Sequence, residues 1–166
     1  GNSIEKITRT WKNNDEVVLE LPMKTNISRW KNQSAAVERG PLVYALKIGE
    51  EWKNVKGTDK YGDYREVKPT TPWNYGLLEK AIKDPENFFS FSKTKVVGKN
   101  PWNIENSPVS ITTKGKIIPE WQLYNESSGP VPYSPIKYLK DHKEEEIVLL
   151  PYGCTTLRIS QFPIVL

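Results

Sequence analysis

Arg39-Gly-Pro-Leu-Val-Tyr-Ala-Leu46 and Leu150-Pro-Tyr-Gly-Cys-Thr-Thr-Leu-Arg-Ile-Ser-Gln-Phe-Pro163 are the two stretches on which the fold turns. Each reads as β-strand punctuated by Gly and Pro. Gly40-Pro41 bends or bulges the chain. The run Leu42-Val-Tyr-Ala-Leu46 beyond it is apolar at every position, so both of its faces need cover, as in the interior of a sandwich. Ala35–Glu38 is a strand before the bend. Ile147–Leu150 and Thr156–Phe162 are strands joined through Pro151-Tyr-Gly153. Leu42, Tyr44, Leu46, Val148, Leu150, Leu157 and Ile159 alternate within these signals and are the expected core.

Working outward, Ile4 to Trp11 and Glu16 to Leu21 alternate in polarity about Lys12-Asn-Asn-Asp15, which has turn chemistry. A β-hairpin is expected there, stopped by Pro22. Ile27–Trp30 and Tyr64–Val67 read as short strands. Between them, Glu50 to Tyr64 shows no period and is expected to be a long polar loop. Trp73-Asn-Tyr-Gly76 is an aromatic turn. Leu77–Lys83 carries a helical signal, with Leu78 and Ile82 four apart and Asp84-Pro85 ending it. Phe88-Phe-Ser-Phe91 opens a strand expected to run to Val97, and Gly98–Pro108 is loop. Val109–Thr113 and Lys116–Trp121 are expected to pair across Lys114-Gly115, and Asn125–Pro135 is expected to be loop. About ten short strands separated by turns define an all-β chain. The expected fold is an antiparallel β-sandwich, jelly-roll-like, with long loops and one short helix.

The chain of 166 residues fits one domain, or one with part of a second. Six Trp, eight Tyr and four Phe supply large core pieces. The net charge of +4 is spread among alternating Lys, Glu and Asp, as in Lys137 to Glu146, which reads as a solvated surface and not a nucleic-acid face. One Cys and one His allow neither an intrachain disulfide nor a zinc site built from those residues alone. No apolar run reaches the roughly 18 residues of a membrane helix. Gly1-Asn2-Ser3 opens the chain without Met and reads as a tag remnant joined to an internal segment. Asn26-Ile-Ser28, Asn32-Gln-Ser34 and Asn125-Glu-Ser127 match the glycosylation triplet, a pattern short enough to recur by chance.

Candidate chemistry is sparse. Cys154 would need a base or a positive field to become a thiolate, and the one His, His142, sits in the charged run Lys140-Asp-His-Lys-Glu144. A Cys opening a strand is more simply a small core residue. A glycosidase would need paired carboxylates. Asp59, Asp63, Glu66, Glu79, Asp84, Glu120 and Glu144 to Glu146 are available, and no motif distinguishes any of them. Trp73, Tyr75, Trp102, Trp121, Tyr124 and Tyr133 lie in or beside loops with Asn and Gly. Aromatic faces of this kind pin loops onto a sandwich, meet a neighbouring domain, or stack on sugars. Trp73, Tyr75, Trp102 and Trp121 are therefore the candidate contacts to a glycan or to another domain.

Several segments, taken in order, carry a family likeness. Ile7-Thr-Arg-Thr-Trp11 with Asp15 and Leu19-Glu-Leu-Pro-Met23 forms an R-x-W-x-x-x-D…L-x-L-P-M pattern. Arg39 to Leu46 is next. Then come Trp73 to Leu77, Pro101-Trp102, Ile118-Pro-Glu-Trp121 and Leu150 to Pro163. Together they resemble the C-terminal β-sandwich region of family 127 glycoside hydrolases, the β-L-arabinofuranosidase-like family that began as a domain family of unknown function. The resemblance implies that residues 1–48 correspond to the end of that family's middle β-sandwich, either merged with residues 49–166 or pairing with a second copy through exposed edges. Residues 49–166 would then form a C-terminal sandwich. It implies a non-catalytic accessory domain, needing no cofactor and packed on an (α/α) barrel, in which the family keeps its catalytic Glu and Cys-rich zinc site. No residue here matches those motifs. For the parent enzyme it implies plant-type L-arabinofuranoside substrates; it leaves the location unknown, an extracytoplasmic one being compatible with it. Two alternatives are a carbohydrate-binding module using the loop aromatics and a free-standing enzyme.

Overall fold

The structure, a computed structural model, describes residues 4–94 and 98–166. Gly1 to Ser3, read as a tag remnant, and Lys95 to Val97, read as the end of a strand, lie outside the described residues. The chain is all-β, with long loops and a short helical excursion. Its strands are β1 (Thr25–Arg29), β2 (Ala35–Arg39), β3 (Leu42–Leu46), β4 (Glu50–Val55), β5 (Tyr64–Pro69), β6 (Tyr75–Leu78), β7 (Ser90–Lys93), β8 (Val109–Ile117), β9 (Leu123–Tyr124), β10 (Ser127–Ser128), β11 (Glu145–Pro151) and β12 (Ile164–Val165).

The main sheet has eight strands, ordered β1-β2-β3-β11-β8-β6-β12, with β7 also on β8. All its pairs are antiparallel except β6 with β12, which run parallel. The β2–β3 turn is the pair Gly40-Pro41, since Arg39 faces Leu42 across the ladder. Gly40 sits at φ +58 there, the left-handed conformation that a two-residue hairpin turn demands. Pro41 comes after it, where no ladder N–H is required.

β6 and β7 both lie antiparallel to β8, at residues 115–117 and 109–112 respectively. They are two halves of one strand line, interrupted by a helical excursion comprising α1 (Glu79–Lys83) and α2 (Pro85–Phe88). Pro85 stands in the first turn of α2, where its missing N–H costs nothing. Ala81 and Phe89 anchor the excursion in the core.

The C-terminal segment closes the sheet on itself. The Leu46 N–H donates to the Ile159 carbonyl at 2.8 Å, and Ala35 and Phe162 exchange both backbone bonds at 2.8 Å. Beyond them the Leu77 N–H donates to the Pro163 carbonyl at 2.9 Å. Residues 159–166 thus run from the β2–β3 side of the sheet to β6, and the sheet is curled. Inside the curl lie Tyr44, Leu46, Leu77, Ile111, Ile118, Leu139, Leu149 and Phe162, all fully buried.

Five expectations need correction. Residues 4–24 contain the Lys12–Asp15 turn, in which the Asp15 N–H donates to the Lys12 carbonyl at 3.2 Å and the Lys12 N–H to Asp15 Oδ2 at 2.7 Å. They form no ladder, because no apolar layer covers either arm and an uncovered two-stranded hairpin is marginal in water. Glu50–Val55, expected as loop, is a strand paired along its length with β5. This ribbon is tied at its base, where Glu50 Oε1 accepts from the N–H groups of Thr156 and Leu157 at 3.0 and 3.3 Å. Residues 109–117 are one strand and not the first arm of a hairpin turning at Gly115. Thr156–Phe162 forms no ladder and joins the sheet only through the Leu46–Ile159 bond and the isolated Ala35–Phe162 bridge. Of the expected core residues, Tyr44, Leu46, Leu150 and Ile159 are buried, whereas Leu42, Val148 and Leu157 are half-buried.

Candidate functional site: a cleft between two ribbons

β4–β5 and β9–β10 are separate two-stranded ribbons beside the main sheet. The β9–β10 turn is Asn125-Glu126, with both residues left-handed at φ 50 and 60, the geometry of the tightest hairpins. It falls inside a stretch expected to be loop. The Asn at its first position is the signal in the sequence that could have found it.

A cleft of about 700 Å³ lies between the two ribbons. Its apolar lining comes from Ile48, Trp73, Leu157 and Ile159, and its polar lining includes Glu66 and Lys68 on one side and Glu126, Ser127 and Ser128 on the other. Arg158 also lines it, with its guanidinium Nε donating to the Thr155 carbonyl at 2.8 Å and its Cζ 4.7 Å from the centroid of the Tyr152 ring. Four consecutive residues of β5, Glu66 to Pro69, line one wall. The cleft therefore meets the free edge of β5, whose ladder lies on its other side.

The candidate aromatics separate into three environments. Trp73 and Trp121 meet edge to face, with centroids 5.2 Å apart and planes at 70°. Trp121 is 3 % exposed and donates its indole N–H to the Gly129 carbonyl at 2.9 Å, so it is a core pin beneath the β9–β10 ribbon. Trp73 is half-buried and lines the cleft. Tyr75 is buried in the sheet, and its hydroxyl donates to Glu145 Oε2 at 2.8 Å. Burial first, and then that hydrogen bond, push the Tyr75 phenol up to about 12. Trp102 is 53 % exposed and stands apart from the cleft, over Gly153 and next to Pro41, Leu42 and Tyr152. The structure thus unites Trp73 with Trp121 and leaves Tyr75 and Trp102 elsewhere. Tyr124 and Tyr133 are exposed.

Most of the candidate carboxylates are engaged in local structure. Asp63 Oδ1 accepts from the Gly57 N–H at 3.1 Å, Glu79 pairs with Lys83 at 2.8 Å, and Asp84 accepts from Asn87 at 2.7 Å. Glu120 accepts from the Tyr138 hydroxyl at 2.6 Å, and that bond chiefly holds its carboxyl below the usual range. Glu144 is lowered for the same kind of reason, by Lys80 at 2.7 Å. Both shifts run opposite to what a general acid requires. Cys154 is buried, with Sγ 3.8 Å from the Pro101 carbonyl, as a small core residue would be. His142 is exposed and contributes to the field at Glu120. Among the described residues no group of His, Cys, Asp and Glu is placed to hold a metal ion.

No family model, curated protein or solved structure matches the chain.

Proposed function

We propose that this chain is a non-catalytic accessory β-domain of a glycoside hydrolase acting on plant-type glycans, with L-arabinofuranoside-like substrates for the parent enzyme. The observation that carries the reading is the surface of residues 4–23. Ile4, Ile7, Trp11, Val17, Val18, Leu19, Leu21 and Met23 are all more than half exposed along one continuous segment. An apolar surface of that extent is one that proteins ordinarily cover with another domain or subunit. An (α/α) barrel of the kind that family 127 enzymes carry would be such a cover.

The test is hydrolysis of aryl arabinofuranosides by the chain alone. The expected rate equals the no-protein blank. Turnover that a carboxylate substitution abolishes would overturn the reading and favour a free-standing enzyme.

A second reading, a carbohydrate-binding module, draws its support from Trp73 in the cleft between the ribbons.

A further inference from the structure

We infer that the cleft between β4–β5 and β9–β10 is a binding site for a neutral oligosaccharide, with Trp73 as its platform. The volume of about 700 Å³ lies within the range of small-ligand sites. Its chemistry is two-sided. Trp73, Leu157 and Leu123 offer an apolar surface suited to sugar C–H faces. Trp121 meets Trp73 edge to face at 70° and helps fix its position, while Trp73, packed against the margin of the core, keeps part of its surface toward the cleft. The rim supplies carboxylates at Glu66 and Glu126, cations at Lys68 and Arg158, and hydroxyls at Ser127, Ser128 and Thr156. The opposite charges balance, so the rim does not select an ion of either sign. It offers donors and acceptors in nearly equal measure, which is what a ligand dense in hydroxyls needs. The free edge of β5 adds backbone groups along the same wall. The site is also braced. Glu50 ties the β4–β5 ribbon to the N–H groups of Thr156 and Leu157, and Trp121 ties the other ribbon to Gly129, so both walls are held before any ligand arrives.

The inference deepens the reading of this chain as part of a glycan-processing protein, and that reading guides only the choice of glycans offered. The experiment is calorimetric titration of the full chain with linear arabino-, xylo- and cello-oligosaccharides, and with oligogalacturonate as an anionic comparator. Saturable binding is expected for at least one neutral series, at least tenfold tighter than for oligogalacturonate. Glu66→Ala, on a partly exposed strand where folding should be unaffected, and Trp73→Ala, with its fold checked by near-ultraviolet circular dichroism, should each weaken binding at least tenfold. Trp102→Ala should leave it unchanged. Absence of binding to every neutral series overturns the inference, as does binding that Trp102→Ala abolishes and Glu66→Ala spares. Either result leaves the non-catalytic reading standing, because that depends on the separate hydrolysis assay.

Discussion

The hydroxyl of Tyr75 on β6 donates to the carboxylate of Glu145 on β11 at 2.8 Å, across a strand that separates the two. The intervening residue is Gly115 of β8, the ladder partner of Glu145. A Cβ at Gly115 would stand 3.5 Å from Tyr75 Cδ1, so the phenol ring crosses the sheet over the glycine. This bond adds a polar side-chain link between β6 and β11 across β8, beside the apolar packing that the three strands share. It also has a pH signature. The phenol is neutral in the folded protein up to about 12, against 10.0 ordinarily. Stability from this raised value is complete below the ordinary value and is lost as pH rises through the folded one. Unfolding midpoints should therefore fall between these two pH values, and Tyr75→Phe should flatten that limb. Near neutral pH the same substitution should cost about 1 kcal/mol. An unchanged alkaline limb in Tyr75→Phe would refute the assignment.

Gly115→Ala should destabilise by about 1–3 kcal/mol. The added Cβ would lie 2.9 Å from the Gly76 carbonyl oxygen and 3.1 Å from Ile147 Cδ1. Backbone on one side and a core side chain on the other leave little room to yield. Thermal unfolding measures the effect, and a neutral result would show that β6 can draw away from β8.

Thr113 is buried on β8, and among the described residues its Oγ1 has no hydrogen-bond partner. Thr113→Val keeps the branched shape and removes the stranded hydroxyl, so a gain of about 1 kcal/mol is expected in urea unfolding. A loss of stability would reveal a partner for that oxygen.

Lys116 is 3 % exposed, and its ammonium donates to the carbonyls of Leu139, Lys140 and Leu166 at 3.0, 2.6 and 2.9 Å. Three donors meet three acceptors, which is the condition for burying a lysine. Lys116→Met would remove the charge and strand the acceptors, with an expected loss of about 3 kcal/mol or more. Lys116→Arg should not rescue it, since a planar fork does not reproduce a tripod of contacts. Chemical denaturation of the two variants decides the point.

Leu149→Ala should cost about 2–5 kcal/mol, the range of fully buried leucines. Leu149 is wholly enclosed, whereas Leu157 is half-buried and packs only against the margin of the core. Leu157→Ala should therefore cost less, under about 2 kcal/mol. Reversal of that order in parallel denaturation curves would mean that the register of the C-terminal segment differs from the one described.

The contrast between these leucines shows what the sequence made legible. Leu42 to Leu46 and Ile147 to Leu150 were readable as strands because continuous apolar runs with Gly or Pro at their ends have few other uses. The class of fold could be read from such segments. Glu50 to Val55 was not readable, since a ribbon exposed on both faces has no apolar alternation and is held by one carboxylate at its base. Residues 16–21 alternate well yet form no strand, because alternation records a face to be covered and not its cover. At the candidate cleft, Trp73 and Trp121 could be picked out as loop aromatics. Their division into a half-buried cleft residue and a buried pin depends on Gly129, eight residues beyond Trp121, which no local pattern links to either indole.

The closure by residues 159–166 carries a consequence for the order of assembly. Ala35 and Leu46 await bonding partners that lie more than a hundred residues later in the chain. During synthesis the early β1–β3 meander must therefore persist with one margin unsatisfied until residues 159–162 have emerged. Contacts so distant are slow to form, and until they do, the unpaired margin is exposed to neighbouring nascent chains. Yield from cells should accordingly respond more to chaperone supply and growth temperature than the stability of the finished domain would suggest.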